Sequence, residues 1–203
     1  MLLNEGLKGY IAGLVDGEGT IFIGRQKREE NRSGYRFLPH LIITNTNKEC
    51  LDLCKNIFNF GSLFLRREAS FNKDGAIQSR KNCYRWEVKH QLVGVVLREI
   101  LPYMVIKKKQ AENILLFLES LETQGNYSKY DPSLQFKYYA ISKELNGNPL
   151  TEEEKIELLP IMREVKLAEI KHCFHEGCED KHYGNGLCRK HWKRKRYAEK
   201  KRT

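Results

Sequence analysis

Two groups of residues in this chain have types and spacings suited to chemistry. The first is the run IAGLVDGEG at positions 11–19, where Asp16 and Glu18 close an apolar helical pattern. Carboxylates at a helix C-terminus face the negative end of the helix dipole, so placing them there costs stability. Asp16 has a structural use, because a carboxylate can cap the start of another segment. Glu18 lies past the last turn, between Gly17 and Gly19, where a hard cation beside it would offset the repulsion. The second group is Cys173-x4-Cys178-x9-Cys188-x2-His191, four soft ligands within nineteen residues. Thiolates and imidazole at such spacings suit tetrahedral Zn²⁺, and His172, His175 and His182 are further candidates for one ligand position. A segment this short buries no core of its own, so a structural zinc would supply its folding energy.

The elements that must position these groups follow from periodicity. Leu7, Tyr10, Ile11, Leu14 and Val15 mark a helix. Gly9, Gly13 and Gly17 recur every four residues along it and share one stripe, with Ala12 beside them. Each glycine costs a helix about 1 kcal/mol relative to alanine. Three in register therefore predict the close approach of a second helix backbone. TIFIGRQKRE and YRFLPHLIIT alternate and form a hairpin around ENRSG, and NTNKECLDLCKNIF is a helix capped by Asn45 or Asn47. GSLFLRREA and NCYRWEVK form a second hairpin joined by the loop SFNKDGAIQSRK, followed by the helix QLVGVVLREIL, stopped before Pro102. KKKQAENILLFLESLE and LQFKYYAISKELN are further helices. Thr151-x-x-Glu154 is a capping box, and a last helix runs from Pro160 toward Lys171. The fold class is α+β, an αββαββα core whose four-stranded antiparallel sheet is covered by helices on one face. Three regions are expected: a core over 1–121, a helical extension over 122–170 and a basic zinc module over 171–203.

Composition narrows the partners. The net charge is +10, and residues 171–203 hold eleven Lys and Arg against four Asp and Glu. That balance points to a polyanion, with nucleic acid ahead of an acidic membrane surface. No stretch of 18 apolar residues exists, and MLLNEGLKGYIAG lacks the pattern of a signal peptide. Cysteines scattered among apolar positions, plus one cluster, suit a metal site in a reducing compartment better than a disulfide framework. An intracellular protein is expected, in a bacterial or archaeal cytoplasm or an organelle interior, with neither a membrane nor a small-molecule substrate as partner.

IAGLVDGEG resembles the LAGLIDADG motif of homing endonucleases. Ala12, Gly13, Asp16 and Gly19 match it; Ile11, Leu14 and Val15 are apolar replacements, Gly17 is a small substitute and Glu18 keeps the acid. The αββαββα order is that family's fold, and the similarity covers residues 4–121. The resemblance implies a site-specific double-strand DNA endonuclease that hydrolyses phosphodiester bonds. Glycine-striped helices would pack about a two-fold axis, with Gly9, Ala12, Gly13 and Asp16 at the interface and Asp16 bracing the helix pair. Glu18 would bind Mg²⁺ or Mn²⁺ beside the scissile phosphate, with Ca²⁺ as a non-cleaving substitute and the Gly17 carbonyl facing the metal. No second copy of the motif exists in the chain, so a homodimer on a near-palindromic site is implied.

Lys107 and Gln110 match the position of a basic residue near the family's active site, and Asn45 a polar residue that orders water there. Glu49 stands where a basic partner is sometimes found. The open face of the sheet would enter the DNA major groove with Gln26, Arg28, Arg36, His40, Arg66, Glu68 and Arg85. Lys193, Arg194, Lys195 and Arg196 would contact phosphates. The resemblance also admits an intron maturase (an RNA-binding splicing cofactor), a bifunctional maturase and endonuclease, or a regulator without catalysis. The intact Glu18 argues against the last.

Overall fold

A computed structural model of the chain describes residues 3–29, 31, 34–71, 77–123, 132–158, 178 and 188–191. The expected helix from Pro160, the Cys173 ligand and the basic run Lys193, Arg194, Lys195, Arg196 lie outside those residues.

Helix α1 (Glu5–Glu18) starts at Asn4, whose side chain accepts a hydrogen bond from the Leu7 amide at 2.8 Å. It ends where the Gly19 amide donates to the Val15 carbonyl. A Cβ on Gly19 would lie 2.5 Å from that carbonyl oxygen, so only glycine lets the chain turn straight from helix into strand. Strands β1 (Gly19–Lys27) and β2 (Tyr35–Asn45) pair antiparallel from Gly19–Ile43 to Lys27–Tyr35. Helix α2 (Lys48–Phe58) is capped by Asn47, which accepts from the Glu49 amide at 2.9 Å. Asn45 braces that cap by accepting from the Asn47 amide at 2.8 Å, so the two candidate caps act in series. Asn59 closes the helix in the left-handed conformation, with φ 57.

Strand β3 (Ser62–Arg67) comes next. The stretch expected as a plain loop contains a short antiparallel pair, β4 (Ser70–Phe71) with β5 (Ile77–Ser79), whose strands are too brief to leave a periodic signal. Strand β6 (Cys83–Lys89) leads into α3 (Leu92–Ile100), and Pro102 falls in a 3₁₀ turn over Leu101–Tyr103. Helices α4 (Lys108–Thr123) and α5 (Pro132–Leu145) follow. Residues 152–158 are helical and begin with the expected capping box: the Glu154 amide donates to Thr151 Oγ1 at 3.1 Å, and the Thr151 amide donates to Glu154 Oε2 at 3.0 Å.

The sheet order is β1-β2-β6-β3. Alternation sends Ile21, Ile23, Leu41, Ile43, Trp86 and Val88 to one face, all buried. Ile11 and Val15 of α1, Leu51 of α2, Leu97 of α3 and Phe117 of α4 supply the rest of the core. Trp86 donates its indole N–H to the Phe60 carbonyl at 3.2 Å. Gly61 passes so close that an added Cβ would lie 2.5 Å from Trp86 Nε1, and its φ of +85 also demands glycine.

The chain divides into two compact units, Met1–Asp131 with Tyr138–Leu150, and Pro132–Lys137 with Thr151–Thr203. The first unit thus takes in the C-terminal half of α5, which serves the exposed edge of β1. Ser142 Oγ accepts from the Ile23 amide at 2.9 Å, and Asn146 Nδ2 donates to the Ile21 carbonyl at 3.0 Å. Side chains here satisfy backbone groups that a sheet edge otherwise offers to other strands.

Candidate functional site

The C-terminus of α1 meets the N-terminus of α4, and Asp16 forms the joint. Its Oδ2 accepts from the Val105 amide at 2.7 Å and the Ile106 amide at 3.1 Å, while Oδ1 accepts from the Lys107 amide at 2.9 Å. Lys107 Nζ donates to the Val15 carbonyl at 3.1 Å and to the Asp16 carbonyl. A cation thus covers the negative end of α1, and a carboxylate covers the positive end of α4. Burial pushes the Asp16 carboxyl up, but the three amides and the Lys107 charge outweigh it and hold it below the usual aspartate range.

Two of the residues expected at the glycine-striped seam face the chain's own core. Asp16 is buried in the chain's own fold, and so is Ala12, with no exposed surface. Positions 11, 12, 15 and 16 form the inward face of α1, whereas 9, 13 and 17 point outward. Along that outward face, a Cβ on Gly9, Gly13 or Gly17 would meet nothing within 4 Å. Exposed apolar side chains accompany the stripe: Tyr10 on α1, and Val105 (83% exposed) and Ile106 (72%) at the joint with α4. Val105 and Ile106 escaped the sequence reading; their only signal is an apolar pair placed before three lysines and outside the helical period.

Glu18 is exposed as the last residue of α1. Burial raises the Cys50 thiol, and the negative charge of Glu18 adds to the rise, which sets the carboxylate near the start of α2. The Glu18 carboxylate and the terminal carbonyls of α1, Gly17 among them, are hard oxygen donors at a dipole's negative end. Such a donor set fits Mg²⁺ or Ca²⁺ and not a soft metal. Lys107 reaches this same helix end. Asn45 and Gln110 each carry a structural bond: Asn45 Oδ1 holds the Asn47 amide, and Gln110 Nε2 donates to the Leu145 carbonyl at 3.0 Å. That carbonyl lies in the last turn of α5, where no intrahelical donor remains for it, and so attracts the Gln110 amide.

The sheet face away from the helices carries a band of polar and aromatic side chains. Register places Gln26 opposite Arg36, Phe22 opposite His40, His40 opposite Lys89, and Thr44 opposite Arg85. Gln26, Arg36, His40 and Arg85 therefore share the expected face. Arg66 falls at a register shift between Leu65 and Arg67. Arg28 and Glu68 lie just beyond their strands, in connecting segments. Glu87, Lys89, Phe22 and Phe64 join the band without having been assigned to it. Glu87 Oε1 lies 3.4 Å from His40 Nδ1, and its Oε2 is 3.1 Å from Lys89 Nζ. The His40 ring stacks on Phe22 at 4.8 Å and crosses Gly24, where a Cβ would come within 3.0 Å of Nε2. Burial lowers His40 more than Glu87 raises it, so the imidazole is mainly neutral at pH 7, with one donor and one acceptor. Donors from Arg and Gln, acceptors from Glu and a neutral imidazole suit the pattern of base edges in a major groove.

Of the four expected zinc ligands, Cys178, Cys188 and His191 lie together, with all three donor atoms within 4.8 Å of one another. No helix among the described residues is long and apolar enough to cross a membrane.

Homing endonuclease I-ApeII of Aeropyrum pernix is 35% identical over 57 residues, which cover 28% of this chain and 34% of that protein. The matched stretch thus spans about a third of the relative's length. Among solved structures, homing endonuclease I-CvuI in complex with a DNA target superposes with a TM-score of 0.54 at 19% identity, covering 76% of this chain and 93% of the other. The archaeal intron-encoded homing endonuclease I-Vdi141I complexed with DNA gives 0.53 at 18% identity, covering 80% and 96%. At such identities these structures establish the shared fold. The model of the LAGLIDADG endonuclease family matches residues 11–119, more than half of the chain, and the protein belongs to that family.

Proposed function

We propose that the chain is a site-specific DNA endonuclease that acts as a homodimer and hydrolyses one phosphodiester bond in each strand of a near-palindromic site. The observation that carries this reading is the outward stripe of Gly9, Gly13 and Gly17, which no described residue of the chain fills, ending at the exposed acid Glu18. A second copy of α1 packed on that stripe sets two Glu18 carboxylates side by side, one for each strand. Tyr10, Val105 and Ile106 would flank the seam and lose their exposure there.

The sheet face supplies register and sequence readout. Arg36, Arg85 and Lys89 attract the duplex, while Gln26, His40 and Glu87 offer donors and acceptors to base edges. Glu18 and the Gly17 carbonyl would hold a divalent cation that, when bound, polarises the scissile phosphate and acidifies water. Lys107 keeps a positive charge at the same helix end, which lowers the cost of crowding a phosphate against Glu18. Asp16 fixes the joint that positions Lys107. The buried free thiols Cys50, Cys54 and Cys83 suit a reducing compartment.

The test uses DNA of the allele that lacks this gene, spanning the insertion point. Glu18→Gln should bind that DNA in Ca²⁺ as well as the parent does, while cleavage in Mg²⁺ falls about a thousandfold or more, equivalent to several kcal/mol of lost transition-state stabilisation. Cleavage by the variant at the parental rate would refute the assignment.

A further inference from the structure

We propose that Cys178, Cys188 and His191 bind one Zn²⁺ in a tetrahedral structural site, separate from the hard-cation site at Glu18. The Sγ atoms of Cys178 and Cys188 are 3.8 Å apart, and Cys188 Sγ is 3.3 Å from His191 Nδ1. Zn–S bonds of about 2.3 Å and Zn–N bonds of about 2.0 Å, arranged tetrahedrally, give edges of roughly 3.8 Å between sulfurs and roughly 3.5 Å between sulfur and nitrogen. These two separations match those edges, and the remaining pair, Cys178 with His191, lies within 4.8 Å. A disulfide would instead need about 2.05 Å between the sulfurs, far shorter than the 3.8 Å between these two.

Local structure explains how the ligands converge. Cys188 directly precedes a helical turn at 189–191, so a spacing of three residues brings His191 round to its side. Cys188 is buried, and Cys178 and His191 are half-buried, so the donor set is partly shielded from water. Two thiolates and an imidazole with no carboxylate among them select Zn²⁺ over Mg²⁺ or Ca²⁺. Cys173, outside the described residues, is the fourth ligand offered by the spacing of the sequence. Metal bound here would hold together a basic segment too short to build a core, as binding free energy becomes folding free energy.

The full chain, purified with a reductant, should carry one zinc per chain by elemental analysis. Replacement by Co²⁺ should give a thiolate-to-metal charge-transfer band and the intense visible bands of a tetrahedral ion. Cys188→Ser should weaken zinc affinity by about a hundredfold or more, since even losing a supporting hydrogen bond to a metal ligand costs 10- to 100-fold. Cys188→His keeps a ligand at the position and should retain cobalt with a smaller charge-transfer intensity, which separates loss of a ligand from loss of the fold. Three results would overturn the proposal: no stoichiometric zinc in the parent, a cobalt spectrum without a thiolate band, or zinc retained at full affinity by Cys188→Ser.

Discussion

Asp16→Asn changes the volume of the side chain hardly at all but removes the charge at the joint of α1 and α4. The carboxylate accepts three backbone amides at 2.7, 3.1 and 2.9 Å. An asparagine has one acceptor oxygen, so in its better orientation it keeps Val105 and Ile106 and turns its amide nitrogen toward the Lys107 N–H. The lost bond is to a charged acceptor, about 1.5–3 kcal/mol, and the two survivors become neutral bonds of about half the strength. Together these terms destabilise by about 3–5 kcal/mol, a large part of the 5–15 kcal/mol typical of a domain. For a unit of this size that lowers Tm by roughly 10 °C.

Acidification provides a second readout. The folded-state pKa of Asp16 lies below its unfolded value, so its contribution is complete above the unfolded pKa and fades as pH falls through the folded one. The gap in Tm between parent and variant should therefore be full at pH 7 and shrink once the parental carboxylate protonates. Urea and thermal melts followed by circular dichroism at several pH values measure both effects. A variant that melts within about 1 °C of the parent at pH 7, or a gap that does not narrow in acid, would refute the capping argument.

Gly13→Leu should leave the monomer folded, because nothing lies within 4 Å of the new Cβ, yet shift sedimentation from dimer to monomer and abolish double-strand cleavage. A Gly13→Leu protein that remains dimeric would remove the stripe from the seam. Gly19→Ala drives a Cβ to 2.5 Å from the Val15 carbonyl, backbone that has no room to yield, and should cost about 2–4 kcal/mol in urea denaturation. A melt unchanged from the parent would show that the helix-to-strand turn tolerates a side chain.

Local patterns carried much of this protein in the sequence itself. A period of two marked the strands that became β1, β2 and β6, a period of 3.6 marked α1 through α5, and short-range caps such as Thr151 with Glu154 were legible because both partners sit within one turn. The spacing of Gly9, Gly13 and Gly17 before Glu18 was visible for the same reason. What tertiary structure decided depends on contacts that span long stretches of chain. Asp16 meets amides 89 to 91 residues away, and that reach turned it and Ala12 inward and away from the outward glycine stripe. Gln110 was drawn to the Leu145 carbonyl 35 residues on, and Ser142 to the open edge of β1 119 residues back. Such pairings leave no periodic trace, because hydrogen-bond partners are chosen by where packed elements end and not by the order in which residues follow one another.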